Sequence, residues 1–384
     1  MPYNLLGSEK ETLMSKAENK LRIVVFLCLV LTVLLVESGA FACTGLTLTG
    51  EDGTVIYGRT MEWGAFDVYT KALVVPRATK FQGQTPDGIN GKRWNAKYGF
   101  VGFELLDRAV SDGMNEKGLA AGFFYHHGFA EYADYDPDLS DQSMSPSDVL
   151  PFILSSFSTV SEVRVAMEQI RVVSVEDPAL GMAVSMHLMV TDPGGKVLVI
   201  EFKDGKAKFF NNPVGVITNN PTFDWHLTNL RNYGYLSNEP FEDKKWGDLE
   251  ISPLASGSGL LGVPGDFTSP SRFVRAVVFA QTARSTSGGP DTVQEFFRIM
   301  DSFNVGARQG EGSDQHQNDN LPADTVWTSC HDTKNLITYY HTAFNRRLRS
   351  INLKKIDFSK AGERSIPLDT KRVQDIQDIT DKLL

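Results

Sequence analysis

Cysteine is scarce in this chain: three residues in 384, of which only Cys43 and Cys330 follow the first 42. Two cysteines cannot build a disulfide-stapled scaffold. A membrane-spanning segment is lacking too: the apolar run from Ile23 to Val36 has 14 residues, short of the ~20 that a spanning helix needs. The net charge is −9 and no long basic run occurs, which argues against nucleic acid or an anionic membrane surface as a partner. Neither a fixed-period repeat nor a long low-complexity stretch is present. Residues 257–262 read Gly-Ser-Gly-Leu-Leu-Gly, but no apolar strand precedes them and Val-Pro-Gly follows where a helix should open, so they do not make a dinucleotide fingerprint. His316 stands among Asp314, Asp319 and Asp324 at a spacing that matches no metal-ligand pattern. No metal and no other cofactor is expected.

What is present is a soluble globular composition, 41% hydrophobic and 22% charged, enough for a sizeable core. The N-terminus is the most informative segment. Lys16, Lys20 and Arg22 precede the apolar run, and Ala40-Phe41-Ala42 stands immediately before Cys43. A positive region, a short apolar region and an A-x-A site make a secretory signal peptide. Residues 1–42 are therefore expected to be removed, with Met14 as an alternative start that would leave residues 1–13 untranslated. The mature protein is then periplasmic or secreted, free of the membrane, and begins at Cys43. A lipoprotein also begins at a cysteine, but its signal prefers Leu at −3 and a small residue at −2, where this chain has Ala40 and Phe41. A lipid-anchored, non-catalytic binding protein remains the alternative of a different class.

The mature chain reads as strands with interspersed helices. Residues 43–50 alternate, Glu51-Asp52-Gly53 can turn, and Thr54 to Tyr57 can return. His187–Thr191, Lys196–Phe202 and Ala207–Phe210 are separated by Pro-Gly-Gly and Asp-Gly turns. Thr159 with Glu162 fits a capping box, and Asp291 with Gln294 fits another helix start. Strand sequence returns at Val326–Cys330 and Leu336–Tyr340. Two strand-rich layers with helices between them indicate an α+β layered sandwich, a single domain over 43–384. From about residue 369, Val373, Ile376, Ile379 and Leu383 fall at helical spacing, which predicts a helical tail docked on the core or on another subunit.

A cysteine at a new N-terminus carries its own catalytic pair. The thiol is the nucleophile, and the α-amine on the same residue, with a reference pKa of about 7.7–8.0, can take its proton. A neighbouring cation would help to populate the thiolate, and no histidine is required.

The stretches CTGLTL at 43–48, GRTMEW at 58–63, DGMNEKGL at 112–119, GVITNNPTFDWH at 215–226, GLLGVPGDFTSPSRF at 259–273 and WTSC at 327–330 occur in that order. Through them the chain, from Cys43 to about Lys355, resembles the choloylglycine hydrolase family. Its members are cysteine N-terminal-nucleophile (Ntn) hydrolases that include penicillin V acylases and conjugated bile salt hydrolases. The resemblance implies the four-layer αββα Ntn-hydrolase fold, a small-molecule amide substrate, no cofactor and a homotetramer. It makes Cys43 the nucleophile, Arg59 the arginine beside the sulfur, Asn219 the oxyanion donor and Arg272 a second, orienting arginine. Glu62 stands where the family usually has an Asp that holds the α-amine. Phe124 stands where bile salt hydrolases have an oxyanion-lining Asn, so a second donor must be a backbone N–H or Tyr125. The aromatic patch of Trp63, Phe123, Phe124 and Tyr125 suits a flat or long acyl group.

Export favours the acylase branch, active on penicillin V or N-acyl-homoserine lactones. The motifs after Asn219 favour the bile salt hydrolases as the alternative. An acyltransferase using the same thioester is a further reading.

Overall fold

The structure is a computed structural model that describes residues 43–384 apart from 65, 179, 180, 308, 310–320 and 361. The expected signal peptide at 1–42 and His316 lie outside the described residues. Two large sheets carry the fold. The strands in chain order are β1 (Thr44–Thr49), β2 (Val55–Glu62), β3 (Lys71–Val75), β4 (Phe100–Leu105), β5 (Ala109–Asn115), β6 (Ala120–Tyr125) and β7 (Met186–Thr191). They continue as β8 (Val197–Lys203), β9 (Lys206–Asn211), β10 (Val216–Ile217), β11 (Thr325–Asp332), β12 (Ile337–Thr342), β13 (Arg349–Asn352) and β14 (Arg364–Pro367). One sheet has the order β10-β1-β2-β11-β12-β13, the other β9-β8-β7-β6-β5-β4-β3-β14. Every pairing within both is antiparallel.

The principal helices are α1 (Pro146–Ser156), α2 (Val160–Met167), α3 (Phe223–Leu230), α4 (Ser269–Gln281) and α5 (Gly289–Met300). α4 and α5 cover the outer face of the six-stranded sheet, and α1 covers the outer face of the other. The four-layer αββα sandwich follows. Each sheet is buried on both faces, so its central strands are closed to water throughout: all eight residues of β2 are buried, as expected where both faces are covered. No helix of the described residues is long and apolar enough to cross a membrane.

Alternation along β1 and β2 decides what the site receives. The register pairs Gly45 with Arg59 and Thr44 with Thr60. Arg59 therefore points between the sheets, with Cys43 and Gly45, while Thr60 and Glu62 point toward α4. Gly58 is needed for close approach: a Cβ there would stand 2.2 Å from Ser329 O and 2.5 Å from the Phe296 ring of α5. The Thr159 capping box forms as read, Thr159 Oγ1 accepting from Glu162 N–H at 3.2 Å. The second helix opens two residues earlier than Asp291, at Gly289.

The tail corrects the sequence reading. Beyond Asp369 it runs without α-helix, with a single 3₁₀ turn at Thr380–Lys382, and Val373, Ile376, Ile379 and Leu383 are exposed. Ion pairs of Arg372 with Asp67 and of Arg347 with Asp375 fasten its first part. A 16-residue amphipathic segment is marginal as a helix unless its apolar face is buried, and among the described residues nothing covers that face.

Candidate active site

Cys43 is 2% exposed at the head of β1. Its Sγ accepts from Arg59 Nη2 at 2.8 Å and from the Glu62 backbone N–H. Burial pushes the thiol up from its ordinary value; the Arg59 charge opposes this, and the Glu62 charge adds to it. A thiol inside an apolar wall would be inert without that cation.

Arg59 is itself fully buried, so its donors must be satisfied. Nε donates to Thr60 O at 3.0 Å and Nη1 to the Phe123 carbonyl. Its Cζ lies 4.5 Å from the centre of the Phe124 ring and 5.4 Å from that of Trp327, within cation–π range. Asp112, paired with His331 at 2.7 Å in the same inter-sheet layer, supplies negative charge. The charges of His331 and Arg59 hold its carboxyl below the ordinary value against a burial effect that raises it.

A second guanidinium ties Cys43 to Asn219. Arg272, in the first turn of α4, donates from Nη1 to Cys43 O at 2.5 Å and to Thr44 Oγ1 at 2.8 Å, and from Nη2 to Asn219 Oδ1 at 2.9 Å. Burial pulls its pKa to about 10, so it stays charged at neutral pH. Asn219 Nδ2 donates to Tyr125 O at 2.8 Å. Arginine only donates and a carbonyl only accepts, which fixes the amide orientation and leaves Nδ2 one further N–H.

Glu62 is buried, and burial raises its carboxyl to about 7 against the Arg272 charge. Oε1 accepts from Thr325 Oγ1 at 2.9 Å, whereas Oε2 has no partner. Beside these groups opens a cleft of about 650 Å³ whose walls include Cys43, Arg59, Glu62, Trp63 and Tyr125. Asn219 and Arg272 adjoin the cleft lining through Tyr125 O and Cys43 O.

Phe124 does not line the cleft, contrary to the sequence reading; its neighbour Phe123 does. In a strand, successive side chains face opposite ways, and Phe124 turns inward to support Arg59. His126 is fully buried and stacks on His187. Sequence reasoning also missed Thr325, Asp112, His187 and His226. The partners of Thr325, Asp112 and His187 lie 263, 219 and 31 positions away, whereas His226 lies only seven from Asn219, at the end of the stretch 215–226. Cys330 is a buried free thiol.

Residues 43–375 match the family described as linear amide C–N hydrolases, choloylglycine hydrolase family. The chain belongs to this family. It is 32% identical over 318 residues to the bile salt hydrolase/transferase of Clostridium perfringens, covering 82% of this chain and 93% of that one. It is 26% identical over 329 residues to the penicillin V acylase of Pectobacterium atrosepticum, covering 82% and 81%. Among solved structures, a variant of the conjugated bile acid hydrolase of Clostridium perfringens superposes with a TM-score of 0.75 at 28% identity, over 88% of this chain and 100% of that one. The penicillin V acylase of Agrobacterium tumefaciens gives 0.68 at 25%, over 85% and 92%. The protein is a hydrolase of linear amides with the Ntn-hydrolase fold.

Proposed function

We propose that Cys43, freed as the N-terminal residue by cleavage after Ala42, is the nucleophile of an acylase that removes an apolar acyl group from an amine. The observation that carries this is the 2.8 Å contact between Arg59 Nη2 and Cys43 Sγ at the wall of an apolar cleft. The α-amine takes the thiol proton, directly or through one water, and Sγ attacks the amide carbonyl carbon. Asn219 Nδ2 and a backbone N–H hold the oxyanion. The ammonium returns its proton to the leaving nitrogen as the C–N bond breaks, giving a thioester and a free amine. Water then attacks the thioester, releasing the acid and the thiol. Glu62 Oε2 receives the α-ammonium, and Arg272 fixes the Cys43 carbonyl and Asn219 in one frame.

Trp63, Phe123 and Tyr125 favour a flat or long acyl group, as in penicillin V or a long-chain N-acyl-homoserine lactone. Conjugated bile salts are the second reading, favoured by the higher identity to the bile salt hydrolase/transferase relative. We further propose export through the 1–42 segment to the periplasm or medium, without a lipid anchor, and assembly as a homotetramer. Exposed Trp246, Leu249 and Leu254 between α3 and α4 support association.

Amine release from penicillin V, glycocholate and a long-chain acyl-homoserine lactone, measured side by side, tests the substrate reading. One substrate cleaved well, with loss in Cys43→Ala, supports it. No cleavage by a protein that begins at free Cys43 removes it. Intact mass separates an unmodified chain from a lipidated one, and size-exclusion chromatography with light scattering reads the assembly.

A further inference from the structure

The loop that presents Asn219 is fastened by three buried imidazoles. His187 on β7 donates from Nε2 to Thr218 O at 2.9 Å, His226 on α3 to Asn219 O at 3.2 Å, and His126, just after β6, to Pro221 O at 3.4 Å. All three side chains are essentially inaccessible. A carbonyl only accepts, so each Nε2 carries its proton and each neutral ring leaves Nδ1 bare. The Nδ1 atoms of all three are buried without a hydrogen-bond partner, and His187 Nδ1 stands 3.6 Å from Glu201 Oε1. Burial also pulls the rings' pKa down, to about 4 for His187 and His226 and about 3 for His126, so they are neutral donors at working pH.

The rings are held as rigidly as the loop they serve. His126 and His187 stack with centroids 4.1 Å apart at 7°, and His226 stacks on Phe273 of α4 at 4.6 Å and 17°. Glu201 on β8 accepts the Phe223 N–H at 2.7 Å, which pins the start of α3 directly after the loop. On its other side, Asn219 N–H donates to Ser269 Oγ at 2.9 Å. Without the imidazoles, the Thr218, Asn219 and Pro221 carbonyls would lose these donors inside the protein, which is costly.

A metal ion is the competing use of this group, since His126, His187 and Glu201 bring ligand atoms within 4.8 Å of one another. The ring geometry opposes it. A metal lies in the plane of the imidazole that binds it, and two parallel rings stacked face to face cannot aim in-plane lone pairs at one ion. Two of the Nε2 atoms are also already engaged with loop carbonyls.

We propose that His126, His187 and His226 are positioning residues for amide hydrolysis: they hold the Thr218–Pro221 backbone so that the Asn219 amide stays between Arg272 and the Tyr125 carbonyl with one N–H free for the oxyanion. The proposal rests on the reading of Asn219 as that donor. Catalytic groups must be held to within about 0.5 Å by their supports, and a loop carbonyl released from its donor would not keep that tolerance.

The test compares His187→Leu with His187→Gln, each alone and combined with Asn219→Ala, in the processed full-length enzyme with the best-cleaved of the three amides. Gln places an N–H₂ near the position of Nε2. Expected are a 10–100-fold fall in kcat with little change in KM for His187→Leu, and recovery of most of the rate in His187→Gln. In the Asn219→Ala background, His187→Leu should cost less than twofold more, because the residue it acts through is gone. An equal penalty in both backgrounds, or Gln no better than Leu, overturns the proposal. Asn219→Ala at full rate overturns the oxyanion reading and this proposal with it. A zinc-dependent rate lost in His187→Gln would overturn it in favour of a metal site. Should His187→Leu fail to fold, the same Leu and Gln comparison at His226 carries the test.

Discussion

The Phe124 ring fills the space that a side chain at Gly45 would need: a Cβ there would stand 2.6 Å from Phe124 Cζ. The pair ties the strand that follows Cys43 to the opposite sheet, and the same ring lies 4.5 Å from the Arg59 guanidinium. Gly45→Ala is expected to cost about 1–3 kcal/mol of stability, the usual penalty for overpacking, and to lower kcat by displacing Arg59. Phe124→Leu should relieve part of the strain. Denaturant unfolding of both single variants and the double variant checks this. A coupling below ~0.3 kcal/mol would show that the two do not share the space.

Arg59 supplies charge rather than shape to the thiol. Its cation favours the thiolate, so Arg59→Met should move the pH midpoint of Cys43 alkylation by iodoacetamide upward by about one unit or more. At pH 7 the alkylation rate should fall by roughly tenfold. Cys330 does not confuse the signal, since burial pushes that thiol well above its ordinary value. An unchanged midpoint in a folded Arg59→Met would contradict the assignment.

Glu62 predicts a pH dependence of stability whose sign can be worked out. Its carboxyl is raised by burial from 4.5 to about 7. Between those values the folded state holds a proton that the unfolded chain has released, so this group's contribution is fullest below about pH 4.5 and declines as pH rises through 7. In a chain that keeps Ala42 ahead of Cys43, Glu62→Gln should gain Tm over the parent by a few degrees on going from pH 5 to pH 8. After cleavage, the α-ammonium beside Oε2 should shrink that gain. Thermal melts of both forms against pH decide it, and a difference independent of pH in the uncleaved form would contradict the buried-acid account.

The tail beyond Asp375 is exposed along its length. Deleting residues 376–384 should change Tm by less than about 1 °C in the monomer, as expected where few buried contacts are lost. A large drop in dilute protein would mean that Ile376, Ile379 and Leu383 pack on the core after all.

The sequence was most legible where information is local. Alternation in 43–57 and 187–210 found real strands, the Thr159–Glu162 box found a real helix start, and the ordered motifs found the family. The wrong face for Phe124 came from a property that motifs do not carry. A shift of one residue turns a strand side chain to the other side of the sheet, so Phe123 rather than Phe124 meets the cleft. The helical tail failed because spacing creates an apolar stripe but not the surface that would bury it. The three-histidine cradle was invisible for a further reason. Thr218, Asn219 and Pro221 receive donors from residues as far as 95 positions away, and only the packing of β7 and α3 on the loop brings them together.

The most direct test of Cys43 as nucleophile is a single turnover quenched in acid, with the protein weighed intact and then mapped. The expected result is an acyl adduct on the peptide that begins at Cys43, absent in Cys43→Ala, together with a released amine and turnover lowered by at least about a thousandfold in that variant. An adduct on another residue, or undiminished turnover in Cys43→Ala, would contradict the account.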